Sequence, residues 1–206
     1  MLACVPALAH RRDEYLQAAR IAVEPSRIGI ELDITPGIAI APSAVAGIDR
    51  DRDGRIDESE AKAYATEVLS GLRLEVDDRA LTLELVSARA PVPIALMRGE
   101  GAIQIALSAA LPSLEPGRHR VFYRNDHHPA DAAYLANALK PSSGRVEIDA
   151  QRRDVDQREL TIEYSIDREA AAGVPWAYVA GLVAEVAAIA GLGMMLSRRR
   201  LRHRLS

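Results

Sequence analysis

Residues 28–35 read Ile-Gly-Ile-Glu-Leu-Asp-Ile-Thr, and the alternation in this segment indicates the fold class. Apolar residues occupy every second position, which is the period of a β-strand that buries one face. Residues 14–23 show a looser alternation, and the turn-forming stretch Glu24-Pro25-Ser26-Arg27 separates the two segments. The sequence therefore predicts a β-hairpin, and Pro36-Gly37 is expected to end its second strand.

Similar short alternating segments fill most of the chain after residue 72. They occupy residues 72–76, 81–85, 103–109, 118–123, 146–148 and 160–166. Roughly seven or eight strands with closely spaced turns are typical of an antiparallel β-sandwich of immunoglobulin-like size. We therefore expect a mainly β domain over residues 10–170.

A different pattern interrupts the strands between residues 42 and 72. Residues 49–60 read Asp-Arg-Asp-Arg-Asp-Gly-Arg-Ile-Asp-Glu-Ser-Glu, which places three acidic residues on each side of a central glycine. The apolar residues of 61–72 then recur at helical spacing. This pattern predicts a helix-loop-helix inserted between the second and third strands of the sandwich.

The twelve residues 49–60 resemble the loop of an EF-hand, which holds Ca²⁺ with oxygen ligands from positions 1, 3, 5, 7, 9 and 12. The resemblance implies that Gly54 makes the sharp turn at position 6 and that Ile56 anchors the loop to the core. It also implies a set of Ca²⁺ ligands, with Arg55 contributing only its backbone carbonyl. These ligands are Asp49, Asp51, Asp53, Arg55, Asp57 and Glu60.

The same residues have a second interpretation that involves no metal ion. Asp57 could cap the following helix, with Glu60 as its capping-box partner, in an acidic surface turn. The two roles are compatible. Helix capping alone leaves Asp49, Asp51 and Asp53 unexplained, so the sequence favours Ca²⁺ binding.

The composition excludes several classes of function. The chain has 206 residues, of which 49% are hydrophobic and 27% charged, and its net charge of −3 does not suit a nucleic-acid-binding surface. Cys4 is the single cysteine, so no intramolecular disulfide is expected. No nucleophile elbow, phosphate-binding glycine loop or zinc-protease helix occurs in the sequence. The sequence therefore does not predict an enzyme.

Both ends of the chain indicate an exported membrane protein. Residues 174–196 are apolar and long enough to span a hydrocarbon core of about 30 Å. Residues 197–206 contain five arginines and no acidic residue, which predicts a cytoplasmic C-terminus. Residues 1–9 end in Ala-Leu-Ala and are interpreted as the remnant of a signal peptide, although a frayed apolar N-terminus is the alternative. We therefore expect a single-pass protein of the cell (inner) membrane with a periplasmic or otherwise extracytoplasmic domain.

The predicted membrane helix carries a face of small residues that would permit close packing against another helix. These residues are Ala177, Gly181, Ala184, Ala188 and Gly191. Glu185 lies beside them, and a carboxyl group within a membrane is a functional hypothesis by default. We expect a membrane-protein partner or a homo-oligomer at this face. The alternative is that an alanine-rich composition produces such a face by chance.

A second possible metal site follows the strand that ends near Tyr123. Asp126, His127 and His128 could bind Ni²⁺ or Zn²⁺. Adjacent histidines on a strand point to opposite faces, so both could bind only if the loop curls. The alternative is a turn in which Asn125 and Asp126 bond the backbone.

Two functions therefore remain open. The first is a membrane-anchored, calcium-binding envelope protein whose Ca²⁺ is structural and whose sandwich acts as a binding or accessory module for a membrane partner. The chain also resembles envelope proteins linked to nickel or cobalt permeases. The resemblance lies in the combination of an exported sandwich with the acidic loop (residues 49–60) and the histidine loop (residues 126–128). That resemblance implies the second function, which is transition-metal handling as an accessory to nickel or zinc transport.

Overall fold

A computed structural model describes residues 13–128 and 130–167, which contain ten strands and three helices. The strands are β1 (Tyr15–Glu24), β2 (Arg27–Pro36), β3 (Leu72–Val76), β4 (Arg79–Ala80), β5 (Glu84–Arg89), β6 (Ile103–Ala110), β7 (Gly117–Asn125), β8 (Ala132–Ala138), β9 (Val146–Arg153) and β10 (Glu159–Ile166). The helices are α1 (Ala41–Ile48), α2 (Glu58–Ser70) and α3 (Pro93–Met97).

The strands form two five-stranded sheets. The first has the order β5-β6-β2-β1-β8, and the second has the order β4-β3-β7-β10-β9. In β2 the side chains of Ile28, Ile30, Leu32 and Ile34 are buried, whereas most residues between them are half-buried or exposed. The inward side chains of both sheets join in one hydrophobic core, as in a β-sandwich. The prediction of a mainly β fold is therefore confirmed.

The two longer helices lie between β2 and β3, where the sequence predicts the helical insertion. The buried residues of α2 are Ala61, Tyr64, Ala65 and Val68, and their spacing places them on one helix face. This face joins the core of the sandwich, and α2 also packs against β5. The insertion is thus held by burial of an apolar helix face.

The expectation of a wholly antiparallel sandwich is wrong for one strand pair. β8 pairs with β1 in parallel, with Tyr15 opposite Ala132. β7 and β8 lie in different sheets, so these two consecutive strands do not form a hairpin. β8 also escapes prediction from sequence, because its residues Ala-Ala-Tyr-Leu-Ala-Asn-Ala lack a regular alternation of large apolar side chains.

A second correction concerns the segment predicted to return from β3. Residues 81–83 are outside any strand, and β4 consists of two residues only. β5 pairs with β6 in the first sheet, so the chain changes sheets after β4. The half-buried Leu81, Leu83 and Leu85 all pack against the core, and burial of these side chains does not require them to share a strand.

The outer edge of β8 is closed by side chains from β9. Nε of Arg153 donates to the carbonyl oxygen of Ala136 at 2.6 Å, and N of Ala138 donates to Oε1 of Gln151 at 3.0 Å. Side chains that satisfy backbone groups on an edge strand hinder its pairing with another chain. The seam between β8 and β9 is therefore protected against edge-to-edge association.

The insertion leaves and re-enters the sandwich at the same end. β2 ends at Pro36, opposite Tyr15, and β3 begins at Leu72, opposite Asn125. A hydrogen bond of 2.9 Å from Nδ2 of Asn125 to Oε1 of Gln17 joins the two sheets at this end. Asp126, which directly follows β7, therefore lies beside the end of the insertion, and its N–H donates to the carbonyl oxygen of Gly71.

The membrane-related predictions fall outside the described residues. This applies to the signal-peptide remnant at 1–9, the predicted membrane helix at 174–196 and the basic tail at 197–206. The range 174–196 includes the residues predicted to pack in the membrane, which are Ala177, Gly181, Ala184, Glu185, Ala188 and Gly191. Among the residues that the structure describes, no helix is long and apolar enough to cross a membrane.

Candidate functional site

Three carboxylates converge in the loop between α1 and α2. Each of Asp49, Asp51 and Asp53 offers an oxygen, and these oxygens lie within 4.8 Å of one another. Asp49 follows the last residue of α1, and its N–H donates to the carbonyl oxygen of Val45 at 2.8 Å. Asp49 is buried, whereas Asp51 and Asp53 are exposed. The loop therefore holds one carboxylate at the protein core and two at the surface.

The loop backbone turns around the carboxylate of Asp49. Oδ1 accepts a hydrogen bond from N of Asp53 at 3.2 Å, and Oδ2 accepts one from N of Gly54 at 3.0 Å. N of Arg55 donates to Oδ1 of Asp53 at 2.8 Å. Gly54 has a φ of +81°, a conformation that side chains disfavour, which is why glycine suits this position. Ile56 is half-buried and packs against the core.

Glu60 connects the two ends of the loop. Its Oε1 accepts a hydrogen bond from N of Arg50 at 2.6 Å, and its Oε2 accepts one from N of Asp57 at 3.1 Å. Oδ1 of Asp57 in turn accepts from N of Glu60 at 2.9 Å, which completes a capping box at the start of α2. The capping role predicted for Asp57 and Glu60 is confirmed. Neither carboxylate belongs to the group formed by Asp49, Asp51 and Asp53.

The carboxylates of the acidic loop repel one another, which disfavours the charged form of Asp51. The hydrogen bond from N of Asp53 lowers the pKa of Asp51, but desolvation and the charges of Asp53, Glu60 and Asp49 outweigh it and raise the pKa. Repulsion between carboxylates is relieved by a bound cation. A donor set made only of oxygens fits a hard cation such as Ca²⁺ better than a soft metal. The residues present therefore fit the predicted ion.

The C-terminal end of α2 packs against residues 126 and 127. N of Asp126 donates to the carbonyl oxygen of Gly71 at 2.8 Å. A Cβ atom on Gly71 would come within 3.0 Å of the backbone N of His127, so this close approach requires glycine. About two turns earlier on the buried face of α2, the hydroxyl of Tyr64 lies 3.2 Å from Nε2 of His127. The helix that begins at the acidic loop thus ends on the histidine loop.

A buried polar network holds His127 in turn. Nε2 of Gln17 and the hydroxyl of Tyr134 each donate to the carbonyl oxygen of His127 at 2.7 Å. N of His127 donates to Oδ1 of Asn125 at 2.9 Å. Sequence reasoning missed Gln17, although it occupies an inward position of β1 beside Ala19 and Ile21. A polar residue at a core position of an alternating strand was the available signal.

The histidine loop curls and brings the two imidazoles together. The ring centroids of His127 and His128 are 4.2 Å apart, and His128, with a φ of +53°, stacks on Tyr15 at 4.2 Å. The carboxylate of Asp126 is held by Arg124, with Nε to Oδ2 at 2.7 Å, and by Arg158. Of the three predicted transition-metal ligands, the structure brings the histidine rings together and pairs the aspartate with arginines.

The charges of this loop follow from those contacts. The hydrogen bond from Arg124, together with the charges of Arg124 and Arg158, lowers the pKa of Asp126. Burial, with a smaller contribution from His128, lowers the pKa of His127 to about 4. His127 is therefore neutral at neutral pH, and its ring can accept a hydrogen bond from the hydroxyl of Tyr64.

The substitution Tyr64→Phe removes this hydrogen bond and little else. We expect it to lower the free energy of unfolding by about 1 kcal/mol, measured by urea denaturation. Tyr164→Phe is the matched control, because the buried Tyr164 hydroxyl has no hydrogen-bond partner among the described residues. An equal loss of unfolding free energy in both variants would show that the Tyr64–His127 hydrogen bond does not stabilise the packing of α2 against residues 126 and 127.

Comparison with known proteins assigns no family to the chain. No family model, curated protein or solved structure matches it.

Proposed function

We propose that this chain is a calcium-binding envelope protein anchored in the cell membrane, with an extracytoplasmic sandwich that binds a membrane partner. The observation that carries the proposal is the convergence of the Asp49, Asp51 and Asp53 carboxylates in a twelve-residue loop. Glu60, the last residue of that loop, reaches back to N of Arg50 at its start. The resemblance to an EF-hand loop rests on these residues together.

The proposed ligands are Asp49, Asp51, Asp53, the carbonyl of Arg55, Asp57 and Glu60. Asp49 follows α1 and Asp57 caps α2, so a cation held by this set would connect the ends of both helices. The chain has one such loop, whereas calcium sensors commonly use pairs. Extracellular modules bind Ca²⁺ with a Kd on the order of 10⁻⁴–10⁻³ M. We therefore assign the ion a structural role, which is to hold the insertion on the sandwich.

The proposed membrane location rests on the sequence. The apolar residues 174–196 followed by the arginine-rich residues 197–206 support a single-pass anchor with a cytoplasmic C-terminus. Residues 1–9 support export. The small residues between 177 and 191 support a helix partner within the membrane, either another protein or a second copy of this chain.

Calorimetric titration of the full chain with CaCl₂, in detergent, tests the calcium site. We expect one site with a Kd on the order of 10⁻⁴–10⁻³ M and loss of binding in Asp49→Asn and Glu60→Gln. Glu58→Gln is the matched control, because Glu58 lies in the same twelve residues but outside the proposed ligand set, and it pairs with Lys62. Absence of binding in the wild type, or equal loss in the control variant, would contradict the proposal.

A second candidate function is transition-metal handling, and the curled loop that brings His127 and His128 together favours it. In this case Asp126, His127 and His128 would bind Ni²⁺ or Zn²⁺. The same calorimetric experiment with NiCl₂ or ZnCl₂ separates the two candidates. Tight binding that His128→Ala abolishes, with calcium binding unchanged, would support the second function.

A further inference from the structure

A second cluster of titratable groups lies away from the acidic loop, at the turn between β3 and β4. Asp77 and Asp78 form this turn, and both have positive φ angles, +48° and +65°, as a two-residue hairpin turn of type I′ requires. N of Asp77 donates to the carbonyl oxygen of Arg120, and N of Arg120 donates to Oδ1 of Asp77, both at 2.9 Å. The side chain of Arg120 pairs with Asp78. The turn is thus attached to β7.

His119 adds a contact whose geometry depends on its protonation. Its Nδ1 lies 2.7 Å from Oδ2 of Asp77, and its Nε2 lies 2.8 Å from the carbonyl oxygen of Glu115. A carboxylate and a carbonyl can only accept hydrogen bonds. Both contacts are therefore hydrogen bonds only when both ring nitrogens carry a proton. The arrangement selects the imidazolium form of His119.

The surroundings keep the ring in place. The side chain of His119 is 12% exposed, and its ring lies 5.6 Å from the ring of Tyr164 in β10. Arg118 and Arg120 of β7, Asp149 of β9 and Glu163 of β10 line the same cavity of about 370 Å³. These side chains, with Asp77 and Asp78, are the charged groups around His119, and Asp77 makes the direct contact.

We propose that Asp77 and His119 form a pH-sensitive clasp, which holds the β3–β4 turn and residues 115–117 together while His119 is protonated and opens when His119 loses its proton. This device is independent of calcium. Opening of the clasp would leave the turn held to β7 by Arg120 alone, through its two backbone bonds with Asp77 and its side-chain contact with Asp78.

The direction of the pH effect follows from linkage. Burial lowers the pKa of His119, but its hydrogen bonds to Asp77 and Glu115 and the charge of Asp77 outweigh burial and raise the pKa above the ordinary value of 6.5. The stabilisation by His119 is therefore complete below 6.5 and is lost as pH rises through the raised pKa. Burial raises the pKa of Asp77, but its bonds to His119 and Arg120 outweigh burial and lower the pKa below 3.8. The clasp is thus closed in mildly acidic solution.

An NMR titration of the full chain in detergent, without calcium, tests the clasp. We expect the His119 imidazole to titrate above 6.5 and its midpoint to fall in Asp77→Asn, which retains an oxygen acceptor for N of Arg120. A midpoint at or below 6.5, or one that Asp77→Asn leaves unchanged, would overturn the proposal.

Amide hydrogen exchange tests whether the clasp opens. Asp77, whose N–H donates to the carbonyl oxygen of Arg120 at 2.9 Å, reports on the attachment of the turn to β7. After correction for intrinsic exchange, we expect its protection to fall about tenfold as pH rises through the His119 midpoint. In His119→Gln, protection should be low at every pH. The Ile30 amide in the other sheet is the control. Protection of the Asp77 amide that does not follow the His119 titration would overturn the proposal.

Discussion

Calcium at about 10 mM is expected to raise the free energy of unfolding of the full chain by about 1.4–2.7 kcal/mol. This concentration is roughly ten to a hundred times a Kd on the order of 10⁻⁴–10⁻³ M, and a ligand that binds only the folded state stabilises it by RT ln(1 + [L]/Kd). The measurement is urea denaturation in calcium and in chelator. An identical unfolding midpoint in the two conditions would contradict a structural ion.

Asp51→Asn sharpens this test because its two expected effects have opposite signs. The raised pKa of Asp51 indicates that the calcium-free fold disfavours its charge, so the neutral amide should stabilise the protein in chelator. The amide oxygen can still accept the hydrogen bond from N of Asp53. The same substitution removes a charged ligand, so the stabilisation by calcium should shrink. A variant that responds to calcium as strongly as the wild type would exclude Asp51 from the site.

The second large effect is expected for Gln17→Leu. Gln17 is 1% exposed, and its amide donates to the carbonyl oxygen of His127 and accepts from Nδ2 of Asn125. Leucine fills a similar volume but forms neither bond, and it leaves the buried Nδ2 of Asn125 without this partner. We expect the free energy of unfolding to fall by about 2–4 kcal/mol, measured by urea denaturation.

The control for this substitution is Gln104→Leu. Gln104 is exposed in β6, and the same exchange there should change the free energy of unfolding by less than about 0.5 kcal/mol. A similar loss in both variants would attribute the cost to leucine on a strand surface and not to the buried network. A large loss of unfolding free energy in Gln17→Leu alone would show that the buried network supports the residues against which α2 packs.

Local sequence patterns were sufficient to predict the structure of an element wherever the interacting residues lie within that element or its turn. The alternation in residues 28–35 predicted β2, and the turn at residues 24–27 predicted its hairpin with β1. The spacing of Asp57 and Glu60 predicted the capping box, because both partners lie within one helical turn. The position of the helical insertion was likewise predicted from a local pattern, that of residues 42–72. In each case the interacting groups are close in the chain.

Interactions between distant residues could not be read from such patterns. Gln17 and His127 are 110 positions apart, and Asp77 and His119 are 42 positions apart. Their contacts depend on which strands become neighbours. The parallel pairing of β8 with β1 is of the same kind, because the alanine-rich sequence of β8 does not indicate which sheet it joins.

The sequence alone therefore determined the mainly β class, the helical insertion and the acidic loop, since side-chain periodicity and loop spacing act over a few residues. The tertiary structure decided which sheet each strand joins, and it brought together the buried network around His127 and the pair of Asp77 and His119. The physical reason is that a strand of given periodicity can bury its apolar face against several partners, and the complete core selects among them.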